Sequence, residues 1–573
     1  MRALVAAAAV GTVVATMTTT APARADDFSK PFTGFAPANT VLRDAGPAGV
    51  GLDPAPIREA VERIRGHEQT PAEGHPLYAG AVALMGHVGA VVARDASGHA
   101  LRYENATTEL PPDEWVPMRE DTVFDLASVS KLFTSIAAVQ LIEDGGVALE
   151  APVAAYLPEF AANGKETVTV RHLLTHTSGF TSWLPLYSRY PDKAARIQAV
   201  MDQPLKSPPG STYLYSDLNL ITLGVLVERV SGTTLDAFVR DRITTPLGMA
   251  DTGYNPADRA RTAATEYQST PPRGMVWGEV HDENAWSLGG VAGHAGVFST
   301  ADDLAVLAQA LLNGGVYDGA RILSRKSVAA LITNFNEDFP GDDHGLGFEL
   351  NQRWYVDALS GPRTAGHTGY TGTSMVIDFA SHSFAILLTN RVHPSRSWGS
   401  INGPRREWAR GLAMAMGVRP REGDTAWFAG GRDAATATLT APVDVPGGGA
   451  RLAFDLFLDT EETDLLAVET SRDGGKTWRA VPMLLRDRGE TLESDGTVSR
   501  SGARRWVQAR ADLGPGEQLL RWRYTTDGAY QGRGVVVDGV LVRGPGGVVL
   551  DGEKTPGVFS AEGWAPVTRE DVA

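Results

Sequence analysis

The apolar positions of this chain change their spacing several times, and each change predicts an element. Asp53-Pro54 is a capping residue followed by proline, and Ile57, Val61 and Ile64 recur behind it on one face, which predicts a helix starting near Asp53. Apolar stretches at Ala79 to Met85, Gly89 to Arg94 and His99 to Tyr103 read as antiparallel strands. From about Phe124 to Leu312 the pattern is helical. Leu132, Ile136 and Val139 share a face there, and Gly145-Gly146 closes their helix. Strand-like runs return at Arg353 to Asp357, Ser374 to Asp378 and Phe384 to Thr389, and a helix at Asn402 to Met416 ends the unit. This order is α+β, with one sheet assembled from both ends of the domain.

Beyond about Arg421 the texture changes. Short runs at Arg451 to Leu456, Leu465 to Thr470, Gln518 to Tyr524 and Gly534 to Val542 alternate with turn clusters, and Asp473-Gly474-Gly475-Lys476 before Thr477-Trp478 signals a hairpin. Seven or more short strands without an amphipathic helix predict a β-sandwich of roughly 150 residues. The expected division is a signal sequence over 1–25, an irregular arm over 26–49, an α+β domain over 50–421 and a sandwich over 422–573. Such a break also predicts that a chain ending near Arg421 folds and keeps its turnover of small substrates.

Arg2, the uncharged run Ala3 to Met17 and the small-residue site Ala23-Arg24-Ala25 form a secretory signal pattern, so the mature protein is expected outside the cell with no spanning segment. The chain has no cysteine, which excludes disulfides, thiolate metal sites and a cysteine nucleophile. A net charge of −16 argues against nucleic acid or an anionic membrane as partner.

Candidate chemistry begins at Ser128-Val129-Ser130-Lys131. A hydroxyl three residues before a lysine at a helix start places both groups on one face, within reach of each other. Ser130 is the rival hydroxyl, but only Ser128 has a lysine three residues on. Downstream come Pro209-Gly210-Ser211-Thr212-Tyr213-Leu214-Tyr215-Ser216-Asp217 and Gly366-His367-Thr368-Gly369-Tyr370-Thr371-Gly372, with His172-Leu173-Leu174-Thr175-His176-Thr177-Ser178-Gly179 and Pro246-Leu247-Gly248-Met249 between or before them.

In this order, over roughly residues 50 to 418, the motifs resemble the serine β-lactamase and penicillin-binding-protein superfamily, in a class-C-related branch with esterase and amidase members. The resemblance implies an antiparallel sheet flanked by helices and a serine hydrolase acting through an acyl-enzyme without a cofactor or metal. It assigns Ser128 as nucleophile, Lys131 and Tyr215 as the proton-transfer pair, the Ser128 and Tyr370 N–H groups as oxyanion donors, and Asp217, His367, Thr368 and Gly369 as substrate contacts. Which of Lys131 and Tyr215 takes the proton in acylation stays open.

Two positions depart from the family pattern. His367 stands where lysine is most common, so a partly charged imidazole with a pKa near ~6.5 would read a substrate carboxylate there. Asp217 stands where asparagine is usual, and a helix-capping role fits it as well as a substrate contact. A second polar cluster, with His281, Asp282 and His294, reads as an ordering loop, a pocket wall or a metal site. His172 and His176 have the spacing of a zinc helix but lack its glutamate, which favours packing roles. The tail segments Ser471 to Trp478 and Val537-Asp538-Gly539-Val540 resemble the jelly-roll tail of immune-inhibitor-A-type secreted peptidases. They imply an accessory module that stabilises the protein or contacts the cell wall or another surface. The expected substrates are small molecules or peptidoglycan-derived peptides. Rival readings are a broad esterase or weak β-lactamase, and an inactive β-lactamase-like binding protein.

Overall fold

The computed structural model describes residues 27–71 and 74–568, so the expected signal sequence lies outside it. Strands β1 (Arg43–Asp44), β2 (Gly80–His87), β3 (Ala90–Leu101), β4 (Glu349–Leu350), β5 (Thr364–Thr368), β6 (Thr373–Asp378) and β7 (Ser383–Thr389) form a sheet in the order β1-β3-β2-β7-β6-β5-β4, with Val116–Pro117 beside β3. β2 pairs with β7, which joins the two ends of the domain as expected. Every pair is antiparallel except β1 with β3, so the sheet is mixed at that edge.

Both faces of the sheet are covered, and the period-2 alternation of side chains sorts residues between two cores. Val82 and Leu84 of β2, Met375 and Ile377 of β6, and Ile386 and Leu388 of β7 face a helical layer. That layer holds helices α2 (Ser130–Glu143), α3 (Asp217–Ser231) and α4 (Ala301–Leu312). Ala81, Ala83, Met85, Val376, Ala385 and Leu387 face the other way, onto the N-terminal helix Pro54–Gly66 and the C-terminal helix Asn402–Ala415. The N-terminal helix starts where its cap predicts, the Asp53 carboxylate accepting the Ala55 N–H at 2.8 Å. The two outer helices touch through Gly411, where an added Cβ would lie 2.5 Å from the Ala60 methyl.

Two sequence expectations change. Arg353–Val356, expected as a strand, is a short helix, here α5. Its aromatic and β-branched residues suit a strand, but burial of Tyr355 and Val356 in the outer core outweighs that preference. Strand β5, not among the runs that the sequence predicts as strands, carries His367 and Thr368.

The C-terminal region is a sandwich of an eight-stranded and a six-stranded antiparallel sheet. Its interior takes Leu452, Phe454, Leu456 and Leu458 from β8 (Ala450–Asp459) and Val535 and Val537 from β9 (Gly534–Gly544). Phe457 and Val536 point outward and are buried with Phe28, Trp408 and Met416 of the first unit. Across the same seam the Arg504 guanidinium meets the Asp378 carboxylate at 2.6 Å, the two side chains being 2% and 0% exposed. Arg533 donates to the Met416 carbonyl at 3.1 Å. The texture break near Arg421 marks a change of architecture, and the two units share a buried seam across it.

Candidate active site

The segment before Ser128 is held from three sides. The Asp125 carboxylate accepts the Ala127 N–H at 2.8 Å and the His281 N–H at 2.6 Å. Ala127 sits at φ 47°, in the left-handed region, so the backbone turns sharply just before the serine. The turn between β5 and β6 is stapled to the same segment, the Thr371 hydroxyl donating to the Asp125 carbonyl at 2.7 Å and Thr373 to the Leu126 carbonyl at 2.9 Å. Gly369 is required there, since a Cβ would lie 2.3 Å from the Leu126 carbonyl oxygen. The third motif thus lies against the segment that leads into Ser128. Among the described residues, neither the Ser128 nor the Tyr370 N–H is spent on a backbone acceptor.

Lys131 is buried on α2 and donates to Ser128 Oγ at 2.8 Å and to the His294 carbonyl at 3.1 Å. Its third partner is Asp217, at 2.9 Å. Burial alone would lower the Lys131 pKa, but the Asp217 carboxylate and Tyr215 outweigh it and hold the ammonium above its ordinary range. Tyr215 hydrogen-bonds both Lys131 and Ser128, and burial pushes its phenol up to about 12 against the pull of the lysine. Ser130, the rival hydroxyl, is fully buried and accepts the Val297 N–H at 3.0 Å, a structural bond.

These groups open on a cleft of about 480 Å³ lined by Ser128, Tyr215, His367, Thr368, Gly369 and Tyr370 on one side. Glu349, Trp354, Arg391 and Arg405 line it too; the sequence placed Arg391 only within the stretch Leu388 to Pro394, read as possible pocket lining, and did not single out the other three. Those three come singly from separated elements, without a motif to announce them. Arg405 lies under the turn and donates to the Gly369 and Thr373 carbonyls at 2.7 and 2.9 Å. Burial lowers its pKa to about 9, which leaves it cationic at neutral pH. Arg391 stacks under the Tyr370 ring at 5.0 Å. Among the described residues neither arginine has a carboxylate within ion-pair distance. Burial pushes the Glu349 carboxyl up to about 7.

Other sequence-stated roles shift. His367 is 1% exposed, its Nδ1 is 2.8 Å from the Thr368 carbonyl, and burial followed by Lys131 pushes the imidazole down to about 3. It is neutral at physiological pH, which overturns its expected part as a titrating reader of substrate charge. Asp217 does not line the cleft; it is the ion-pair partner of Lys131, while Ser216 caps α3. His281, Asp282 and His294 do not line it either. His281 pairs with Glu266 and His294 with Asp282, both at 2.9 Å, so each imidazole is tied to its own carboxylate. This cluster supports the nucleophile from behind through the His281 N–H and the His294 carbonyl. Among the described residues, the one acidic grouping close enough to hold a metal is Glu461, Asp464 and Asp527, in the sandwich. His172 belongs to a capping box with Thr169. His176 packs on the Tyr215 ring at 4.6 Å and accepts the Ser216 N–H at 3.1 Å, so the His-Thr-Ser-Gly stretch orients the second motif.

The family model described as Beta-lactamase matches residues 77–407 and stops before the sandwich. A protein of Escherichia coli (strain K12) named "Putative D-alanyl-D-alanine carboxypeptidase" is 34% identical over 340 residues, covering 53% of this chain and 76% of the relative. A Salmonella typhi protein of the same name is 32% identical over 397 residues, covering 63% and 88%. Among solved structures, a penicillin-binding protein homologue from Caulobacter crescentus is similar at 22% identity and a TM-score of 0.48, covering 62% of this chain and 97% of that one. EstCE1, described as a hydrolase with promiscuous acyltransferase activity, is similar at 21% identity and a TM-score of 0.49, covering 63% and 99%. On the family match and the curated relatives, this chain belongs to the beta-lactamase family of serine hydrolases.

Proposed function

We propose that the protein is an exported carboxypeptidase-type hydrolase that cleaves peptides ending in a free carboxylate, cell-wall-derived peptides first among them, through an acyl-enzyme on Ser128. The observation that carries this reading is the pairing of a Ser128–Lys131 contact of 2.8 Å with Arg391 and Arg405, two arginines without acidic partners, in the same cleft. A guanidinium suits a terminal carboxylate better than any other side chain. The relatives' name points to the same substrate class.

In this mechanism Ser128 Oγ bonds to the scissile carbonyl carbon while its proton passes to the Lys131–Tyr215 pair. The oxyanion sits between the Ser128 and Tyr370 N–H groups, each such donor being worth roughly 3 kcal/mol in comparable sites. As the C–N bond breaks, the pair returns the proton to the leaving amine. Water then cleaves the Ser128 ester and frees the acid. Esters and β-lactams would enter by the same first step. The neutral His367 offers a substrate carboxylate no charge, so in this reading that part falls to Arg391 and Arg405.

The test is to incubate the protein with a fluorescent penicillin and a fluorophosphonate, map the labelled residue by mass spectrometry, and follow release of the terminal amino acid from a D-alanyl-D-alanine peptide. Labelling of Ser128 with peptide turnover is expected, and Ser128→Ala should lose both while keeping its melting temperature. Turnover by a fully folded Ser128→Ala protein would sink the proposal.

A further inference from the structure

The remaining question is what the sandwich does for the cleft, and the contacts behind α5 answer it. Trp354 of α5 lines the cleft. The next residue, Tyr355, is fully buried beside Glu349, which lines it as well and acts electrostatically on the phenol. One four-residue helix therefore presents one wall directly and sets Tyr355 beside a second group. So short a helix has little stability of its own, and its position depends on what packs on it.

The sandwich holds the C-terminal end of α5 directly, and it reaches the Trp354 carbonyl through Arg406. At the C-terminal end Asp357, fully buried, has φ 54° and ψ −131°, a backbone region that L residues rarely occupy unless the surroundings impose it. The Asp357 carboxylate accepts the Gln531 backbone N–H at 2.6 Å and the Arg410 Nε at 2.5 Å. Arg410 also reaches Asp433 at 3.3 Å, and the Gln531 side chain donates to that same Asp433 at 2.6 Å. The Tyr530 ring lies 5.4 Å from the Arg406 guanidinium carbon, and Arg406 donates to the Trp354 carbonyl at 3.3 Å. Two consecutive residues of the sandwich thus bear on α5, Gln531 directly at the carboxylate that ends it and Tyr530 through Arg406.

We infer that the Tyr530–Gln531 segment of the C-terminal sandwich is a positioning element for the active site, fixing the Trp354–Glu349 wall of the cleft through α5. The accessory domain then takes part in substrate recognition without supplying a residue that touches substrate. The inference uses the acyl-enzyme reading only to choose its kinetic readout.

Three variants of the full chain test it. Gln531→Pro removes the N–H that Asp357 accepts, Tyr530→Ala removes the ring against Arg406, and Gln531→Ala keeps the N–H as a control. Amide hydrogen exchange is measured over residues 353–360 and over α2. KM and kcat are measured on whichever of a D-alanyl-D-alanine peptide or a p-nitrophenyl ester the wild type turns over, and Ser128 labelling by a fluorophosphonate is timed. Gln531→Pro and Tyr530→Ala should speed exchange over 353–360 by about tenfold or more and leave α2 unchanged. They should also raise KM by about threefold or more, with labelling within about twofold of wild type, while Gln531→Ala, which loses only the bond to Asp433, should shift exchange and KM less than Gln531→Pro. Unchanged exchange overturns the inference, and so does a loosened α5 with an unchanged KM. If Gln531→Pro does not fold, Tyr530→Ala decides alone. A wild type that fluorophosphonate does not label would defeat the acyl-enzyme reading instead, and exchange over 353–360 would still judge the clamp.

Discussion

At the scale of single residues, the charge on Lys131 controls the chemistry. Asp217 holds the ammonium in its charged form, and a charged lysine donates to Ser128 without accepting its proton. Asp217→Asn removes the carboxylate and leaves burial to act, so the Lys131 pKa falls and more neutral amine is present at pH 7. The ascending limb of kcat/KM should then move to lower pH by about one unit or more if Lys131 is the base. A limb that stays in place assigns the proton to Tyr215. The pH dependence expected of His367 belongs instead to Glu349. Below about 7 its carboxyl is neutral and leaves Arg405 free to attract a substrate carboxylate; above that it is ionised and opposes binding. KM for a carboxylate-ended substrate should therefore rise as pH passes through 7, and Glu349→Gln should flatten the rise. The sign for stability agrees. The folded state favours the neutral acid, so this group's contribution is full below its ordinary 4.5 and is lost by 7, and Glu349→Gln should melt higher than wild type at pH 8 but level with it at pH 4. The grouping of Ser128, Lys131 and Tyr215 was legible in the sequence because the three sit in spaced motifs. The protonation of His367 was not, since burial decides it and burial is a property of the fold.

At the scale of elements, the hairpin of β5 and β6 ties the turn that carries Tyr370 to the segment before Ser128. Thr371→Val deletes one hydroxyl and leaves the buried Asp125 carbonyl short of a donor, a loss of about 1–3 kcal/mol in stability. The larger effect should be on the chemical step, with kcat falling about tenfold at nearly constant KM, because the displaced N–H meets the charge that forms only in the transition state. A change in KM alone would show that this turn binds ground-state substrate. β5 escaped the sequence reading because Gly366-His367-Thr368-Gly369 has the composition of a loop; pairing with β6 and β4 makes it a strand. α5 was read as a strand for the converse reason, its residues favouring the state that tertiary packing refuses. The long apolar runs of β2, β6, β7 and the outer helices were legible because their periodicity survives into the fold.

For the whole molecule, the seam between the two units carries more weight than the change in sequence texture implied. Arg504→Ala leaves the Asp378 carboxylate buried without its partner, which should lower the unfolding free energy by about 3–5 kcal/mol in a denaturant titration. A chain ending near Arg421 exposes Trp408, Met416 and Phe28 together with that carboxylate, and should be poorly soluble or melt well below the full protein. A truncated chain with the wild-type melting temperature would restore the view of two independent bodies. Composition showed where the strands begin; it carried no sign of which outward side chains would meet another surface.

The Arg504–Asp378 pair also has a consequence for timing. Asp378 ends β6, the strand that leads from the turn after Gly369, and its partner Arg504 follows it by 126 residues. A chain still being made can have Ser128, Lys131, Tyr215 and the whole first sheet in place and still lack the cation that balances this strand. The first unit should therefore reach its full stability only after the sandwich strands around Arg504 have been made and docked.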